Sequence, residues 1–338
     1  MEERRHYSVE PSLRWHPTGY VNGSMNAAIN VGKRHLISLA PRWMKAARTK
    51  AIIAMADKME ARMANAFLRA VSAMKHKINM ALLEQSISNN DRLLSYDAVF
   101  AKQWDKVLAS AASVPSTAYG LAGKIGANDL GRIGITTAFD LKNPAAIAWA
   151  KTNSSKLIVE ISDSTRAGIR SVIGSAHDLG IAPRPTARVI REMVGLTEKQ
   201  SAAVFNYREK LIGEERKAEQ VERMTAKYNA KLLKYRSENI ARTEIMQASN
   251  EGLVESWRQA VGAGLLDAKN TNVEWLAGFD DRVCPICAPL NGTVFSYADI
   301  ESGKASSPPI HPSCRCTLGI SFQPVTAVKP TVNGAVAN

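Results

Sequence analysis

Apolar side chains recur every three or four residues along most of this chain, the spacing of amphipathic helices. The first such stripe lies in the region 32–113, which we expect to form a helical hairpin, and it is rich in methionine: Ile52, Met55, Met59, Met63, Phe67, Ala70 and Met74. Similar stripes continue through 145–264, where Thr197 and Gln200 have the spacing of a helix-capping box. The pattern therefore predicts a mainly α protein with an elongated helical body.

The pattern changes after Gly264. Short segments at 273–279, 292–296 and 317–322 are rich in β-branched and aromatic residues and are separated by turn residues. One of these turns contains Asn291-Gly292, a pair that is typical of tight hairpins. Residues 265–322 are thus expected to form a small C-terminal α+β module.

Three further segments show neither the helical spacing of apolar residues nor the pattern of a β-strand. Residues 1–31 and 323–338 are expected to be an extended N-terminal arm and a flexible C-terminal tail. Residues 114–144 contain five glycines and are expected to form a linker. The pair Gly123-Lys124 does not belong to a phosphate-binding loop, because Ala118 and Ile125 occupy positions that need Gly and Ser or Thr.

Positive charge is concentrated in the N-terminal part. The 338 residues carry a net charge of +13, and residues 31–110 contain 14 basic against 6 acidic side chains. Such a surface suits a polyanion, although a basic face can equally be a solvated one. If it binds duplex DNA, the candidate contacts are Lys45, Arg48, Lys50, Lys58, Arg62, Arg69, Lys75 and Lys77.

Two classes of protein are disfavoured by the sequence. There is no run of about 18 apolar residues, and the first 30 residues lack the apolar core of a secretion signal, so we expect a protein made in the cytoplasm that does not enter a membrane. The six histidines are scattered and form no recognisable catalytic set, so we expect no enzymatic activity.

All four cysteines lie close together, as Cys284-Pro-Ile-Cys287 and His311-Pro-Ser-Cys314-Arg-Cys316. Clustered thiols in a reducing compartment indicate a metal site rather than disulfides. The five candidate ligands allow either three thiolates with one imidazole or four thiolates, and a structural Zn²⁺ is the expected ion for such a set. A catalytic zinc is disfavoured because no glutamate is placed as a general base.

The same region resembles a known family. The residues that carry the resemblance are Arg242-Thr243-Glu244, Asn250, Trp257, Trp275, Asp280, Arg282, Cys284, Cys287, Leu290, Gly292 and the segment from His311 to Cys316. They are similar to the head morphogenesis domain of tailed-phage minor head proteins, the group named for the F protein of phage Mu. The resemblance covers about residues 150–322, so residues 145–264 would form the helical part of that domain.

This resemblance implies a virion protein of the phage head. Its partners would be the portal protein and other head proteins, with packaged double-stranded DNA as a non-specific contact. It would be present in few copies per virion, would assemble in the host cytoplasm without a membrane, and could take part in DNA packaging or ejection.

Two alternatives remain open from the sequence. The chain could be a free zinc-stabilised DNA-binding protein, but residues 201–338 carry 16 basic and 15 acidic side chains, and a zinc module that contacts DNA should itself be basic. It could instead be a nuclease or toxin, but little chain remains outside the helices and linkers for a catalytic domain.

Overall fold

The structure is a computed structural model, and it describes residues 42–89, 104–278, 283–321 and 325. The α-helices in this part are α1 (Arg42–Lys77), α2 (Met80–Ser88), α3 (Trp104–Ala112), α4 (Val114–Arg132), α5 (Pro144–Asp178), α6 (Pro183–Met193), α7 (Glu198–Gly213), α8 (Ala218–Gly262) and α9 (Tyr297–Glu301). The strands are β1 (Asn272–Leu276), β2 (Val294–Ser296) and β3 (Thr317–Ser321). A mainly α chain with a small C-terminal α+β module is therefore confirmed.

Several predicted segments lie outside the described residues. These are the N-terminal arm at 1–31, residues 32–41 and 90–103 of the predicted hairpin region, and most of the C-terminal tail at 323–338. Within the described part, no helix is both long and apolar enough to span a bilayer.

Local signals set several helix boundaries. The capping box at the start of α7 is confirmed, since the Gln200 amide donates to Thr197 Oγ1 at 3.3 Å and the Thr197 amide donates to Gln200 Oε1 at 3.2 Å. Helix α5 begins with Pro144, whose missing amide is not needed in the first turn, and the Asn143 side chain accepts from the Ala145 amide at 2.9 Å. Both starts could be recognised from a few adjacent residues.

The predicted Gly-rich linker at 114–144 is wrong over most of its length, because residues 114–132 form helix α4. Three of its five glycines serve close packing instead of turns. A Cβ at Gly123 would collide with the ring of Phe139, and one at Gly126 would collide with the Ser256 side chain of α8. Glycines whose spacing resembles that of a flexible segment thus lie on the contact face of a buried helix.

A single core joins the helices to the sheet. The methionine-rich stripe of α1 faces inward, with Met63, Phe67 and Met74 at most 1% exposed. The cluster of buried apolar side chains that contains them extends through α8 to Leu318 and Ile320 of β3. Apolar burial therefore stabilises helical body and C-terminal module together.

The three strands form an antiparallel sheet in the order β2-β1-β3. Val273 of β1 is paired with Phe295 of β2 and with Ile320 of β3. The Asn291-Gly292 pair does not form the tight hairpin that the sequence suggests, since 17 residues separate β1 from β2. Instead, Gly292 adopts φ +84° and its amide donates to the Trp275 carbonyl at 2.8 Å, just before β2 begins.

The basic face of α1 is only partly as predicted. Five of the candidate DNA contacts are exposed: Lys50, Lys58, Arg62, Arg69 and Lys77. The prediction is wrong for Arg48, which is 3% exposed and paired with Asp129. Lys75 is half-buried and lies 3.4 Å from Glu192. Burial lowers the pKa of Lys75, against the opposing effect of Glu192. The side chain of Lys45 lies outside the described part.

Candidate metal centre

The first pair of candidate ligands sits on a tight turn between β1 and β2. The Cys287 amide donates to the carbonyl oxygen of Cys284 at 3.1 Å, and the Ala288 amide donates to the same oxygen at 3.0 Å. The Cys287 amide also lies 3.3 Å from Cys284 Sγ. This turn brings both sulfurs to one side and directs the Cys287 amide at the Cys284 sulfur.

The second group is held by a turn that leads into β3. The Cys314 amide donates to the His311 carbonyl at 3.3 Å, and Ser313 adopts the left-handed conformation at φ +61°. Cys316 immediately precedes Thr317, the first residue of β3. The backbone reversal at Ser313 therefore brings His311 and both cysteines back towards the first turn.

The five predicted ligands come together in space. The Nε2 atom of His311 lies 3.0 Å from Cys284 Sγ and 3.1 Å from Cys287 Sγ, and the sulfurs of Cys287 and Cys314 are 3.7 Å apart. They form two groups of three donors, Cys284 with Cys287 and His311, and Cys287 with Cys314 and Cys316; within each group all donor atoms lie within 4.8 Å of one another. Cys287 belongs to both groups and is the centre of the cluster.

The two groups differ in their surroundings. Cys287, Cys314 and Cys316 are at most 2% exposed, whereas Cys284 and His311 are partly accessible. Hydrogen bonds from the Cys287 and Cys316 thiols lower the pKa of Cys314, and the same contact with Cys314 raises the pKa of Cys287. The thiol protons of Cys287 and Cys316 thus stabilise a thiolate at Cys314. A bound cation would take the place of these protons.

This donor set fits Zn²⁺. Sulfur and imidazole donors are those that zinc prefers, and two thiolates about 2.3 Å from a shared tetrahedral ion would lie about 3.8 Å apart. The 3.7 Å between Cys287 and Cys314 matches this spacing. The Nδ1 atom of His311 lies 2.8 Å from the Pro312 carbonyl, to which it donates, so that Nε2 presents its lone pair to the cluster.

Helix α8 holds the second ligand turn in place. The Asn250 side chain, which is 1% exposed, donates to the Cys316 carbonyl at 3.2 Å and accepts from the Leu318 amide at 3.0 Å. Thr243 Oγ1 accepts from the Ser313 amide at 3.2 Å, and the Ser313 hydroxyl donates to Asn239 Oδ1. Because these groups lie within the helix, the cluster is fastened to the body as well as to the sheet.

The three residues Arg242-Thr243-Glu244 contact three different parts of the molecule. Arg242 Nε lies 3.1 Å from Glu60 of α1, Thr243 supports the ligand turn, and Glu244 accepts a hydrogen bond from Asn153 of α5. Burial raises the pKa of Glu244, and nearby Glu160 adds to this shift. This triplet therefore connects α8 to α1, to the second ligand turn and to α5.

Sequence reasoning missed two supporting residues. Asn239 and Asp57 have no motif that marks them, yet Asn239 binds Ser313 and Asp57 Oδ1 lies 3.2 Å from Arg315 Nη2. Arg315 and Asp57 are 258 positions apart. Asp280 and Arg282, which contribute to the family resemblance, lie outside the described residues.

Part of the chain matches a known protein family. Residues 169–319 match the family model described as Phage Mu protein F like protein, a range that begins in α5 and ends within β3. It includes all five candidate ligands together with Thr243 and Asn250, which support them. No curated protein and no solved structure matches this chain. Over residues 169–319, a little under half of its length, the chain is therefore similar to the phage Mu F-like family.

Proposed function

We propose that this protein is a minor head protein of a tailed phage, acting in head morphogenesis as a component of the virion. The observation that carries the proposal is the family match over 169–319, which coincides with the part of the fold that bears the Cys and His cluster. The proposed role is in assembly. Among the described residues, the donors of the cluster are sulfur and imidazole groups without a carboxylate, which is the donor set of a structural metal site.

In this proposal a structural Zn²⁺ at the cluster fastens the C-terminal module. The two ligand turns flank β2 and α9 in the sequence. Besides the packing of the core, the main connections between these turns and the rest of the sheet are β1 and β3. The four ligands would come from Cys284, Cys287, His311, Cys314 and Cys316. Binding energy at such a small site acts largely as folding energy, so the ion would hold the surface of the module in one conformation.

The proposed partners are the portal protein, other head proteins and packaged DNA. Support for a DNA contact comes from the exposed side chains of Lys58, Arg62 and Arg69, which follow one another at intervals of four and seven residues on the outer side of α1. A helical surface of this kind would bind phosphates without reading bases. We propose a low copy number, because the portal occupies a single vertex of the head.

The test is fractionation of phage particles. DNA-filled heads and empty precursor heads are separated on a density gradient, and the protein is quantified by mass spectrometry against the portal and the major head protein. We expect it in both kinds of particle, at a number of copies comparable with the portal. Absence from both kinds of particle would contradict the proposal and favour a free zinc-stabilised DNA-binding protein.

A variant tests the role of the cluster in the same experiment. Cys287→Ser removes the donor shared by both groups and should reduce incorporation into heads. Lys124→Gln, an exposed change on α4 away from the cluster, is the control and should be incorporated normally.

A further inference from the structure

A surface groove lies between α7 and the N-terminal half of α8. It has a volume of about 530 Å³ and is lined by Tyr207, Met224, Lys227, Tyr228 and Lys231. It lies away from the candidate metal centre, whose contacts with α8 begin only at Asn239. None of these five residues takes part in the proposed metal or DNA contacts.

The floor of the groove is aromatic and apolar. The rings of Tyr207 and Tyr228 pack on each other with centroids 4.9 Å apart and an angle of 58° between their planes. Met224 lies one turn before Tyr228 on α8, and Tyr235, which is 60% exposed, lies two turns after it. Met224, Tyr228 and Tyr235 thus form an apolar stripe that spans about 16 Å along the helix.

A row of cations runs beside this stripe. Arg223, Lys227 and Lys231 are exposed and are spaced by four residues, so they lie along one line of α8. Within the described part of the chain, no ion pair engages these three side chains. Of the acidic groups near this row, Glu222 pairs with Arg208 and Glu238 pairs with Lys234, while Glu219 lies exposed one turn before Arg223.

A molecule that binds in this groove must therefore carry an apolar surface next to an anionic one. An amphipathic helix with Leu or Phe along one stripe and Asp or Glu beside it matches both rows, and helices bind grooves in this way through residues at i, i+3 or i+4 and i+7. A nucleic acid strand fits less well, because it needs open ring faces for its bases, and the rings of Tyr207 and Tyr228 are already packed against each other.

We propose that the groove between α7 and α8 is a docking site for an acidic amphipathic helix of a partner protein. The apolar side chains of the partner pack on Met224, Tyr228 and Tyr235, and its carboxylates pair with Arg223, Lys227 and Lys231. This site does not depend on the proposed role in the phage head.

The experiment measures binding of designed peptides to the full chain by fluorescence anisotropy. The probe is a fluorescein-labelled helical peptide of about 15 residues, long enough to cover the stripe, with Leu on one face and Glu beside it. Two control peptides replace every Glu by Gln or every Leu by Ser. We expect the probe to bind at least about tenfold more tightly than either control, since both rows contribute.

Variants locate the site. Lys227→Glu with Lys231→Glu should weaken binding of the probe at least about tenfold, and Tyr235→Ala, an exposed change that leaves the Tyr207 and Tyr228 contact intact, should weaken it severalfold. The matched control is Lys106→Glu with Lys124→Glu, which reverses two exposed cations on α3 and α4 and should leave affinity unchanged. Circular dichroism establishes that each variant is folded.

Three results would overturn the proposal. The first is no binding of the probe at low salt. The second is equal loss of affinity in the groove variants and the control variant, which would indicate general charge attraction. The third is tighter binding of fluorescein-labelled oligothymidylate than of the probe, abolished by the groove variants, which would identify the groove as a single-strand site.

Discussion

Gly252 of α8 lies directly against the backbone carbonyl of Tyr119 in α4. A Cβ at Gly252 would be driven into that oxygen and would also lie 3.1 Å from the Gly123 amide nitrogen. Because the obstructing atoms are backbone, neither could move without shifting a helix. The absence of a side chain at Gly252 is therefore what allows the two buried helices to approach so closely.

We predict that Gly252→Ala destabilises the protein, although alanine is the better helix former. Overpacking of a close contact should lower the free energy of unfolding by about 1–3 kcal/mol or more, as measured by urea denaturation followed by circular dichroism. Gly131→Ala in α4 and Gly262→Ala in α8 are matched controls, since a Cβ at either position meets nothing within 4 Å. These should be neutral or stabilise by up to about 1 kcal/mol. Equal effects at all three sites would contradict the contact.

A second prediction concerns the buried ion pair between Arg48 of α1 and Asp129 of α4. Their side chains are 3% and 4% exposed, so removing the carboxylate leaves a buried charge without its partner. We expect Asp129→Ala to cost about 3–5 kcal/mol of unfolding free energy. Arg132→Gln removes a half-exposed cation that contacts the same carboxylate at 3.1 Å, and it should cost less than about 1 kcal/mol. A small loss in Asp129→Ala would show that the pair contributes little.

Purified protein should contain about one zinc ion per chain, since the two groups of donors share Cys287 and four ligands close one tetrahedron. Elemental analysis after purification without chelators measures this. Removal of zinc with a chelator should expose 277–316 to protease while α1 stays resistant. No transition metal in freshly purified protein would refute the site.

The five candidate ligands should not be equivalent. Cys287→Ser removes a donor from both groups and should abolish zinc binding, whereas a single change at Cys284 or Cys316 affects only one group. If one of those two changes leaves stoichiometric zinc, that cysteine lies outside the tetrahedron; if both abolish zinc binding, the fifth donor is His311 or Cys314. Zinc content and resistance to limited proteolysis are the readouts. Full zinc content in Cys287→Ser would show that the shared position is not a ligand.

The last prediction tests the outer face of α1. Binding of random-sequence duplex DNA should fall steeply with salt, and replacing Lys58, Arg62, Arg69 and Lys77 by Gln should reduce the slope of log affinity against log salt by about three to four. The control replaces Lys106, Lys124, Arg188 and Lys199 by Gln, which are exposed cations on other helices. If filter binding shows the same slope in both variants, or no retention of DNA at low salt, then α1 is not the DNA contact.

Features that depend on neighbouring residues could be predicted from the sequence. The capping box at Thr197, the helical stripe through Met63 and the ligand pair Cys284 and Cys287 are each defined within a few turns of chain, because hydrogen bonding and side-chain periodicity act over that range. The set of candidate ligands can be predicted for the same reason, since two short clusters of donors can be recognised without knowing how they meet.

Only the tertiary structure decided what long-range partners determine. Three glycines of α4 have the spacing of a linker until side chains from 139–141 and from α8 pack against them, and Arg48 counts as a surface cation until Asp129, 81 positions away, neutralises it. Asn250 supports the candidate metal centre through contacts with Cys316 and Leu318. These contacts cannot be predicted from the local sequence around Asn250. The identity of a residue limits what it can bind, but burial and pairing arise only when distant segments remove water from between them.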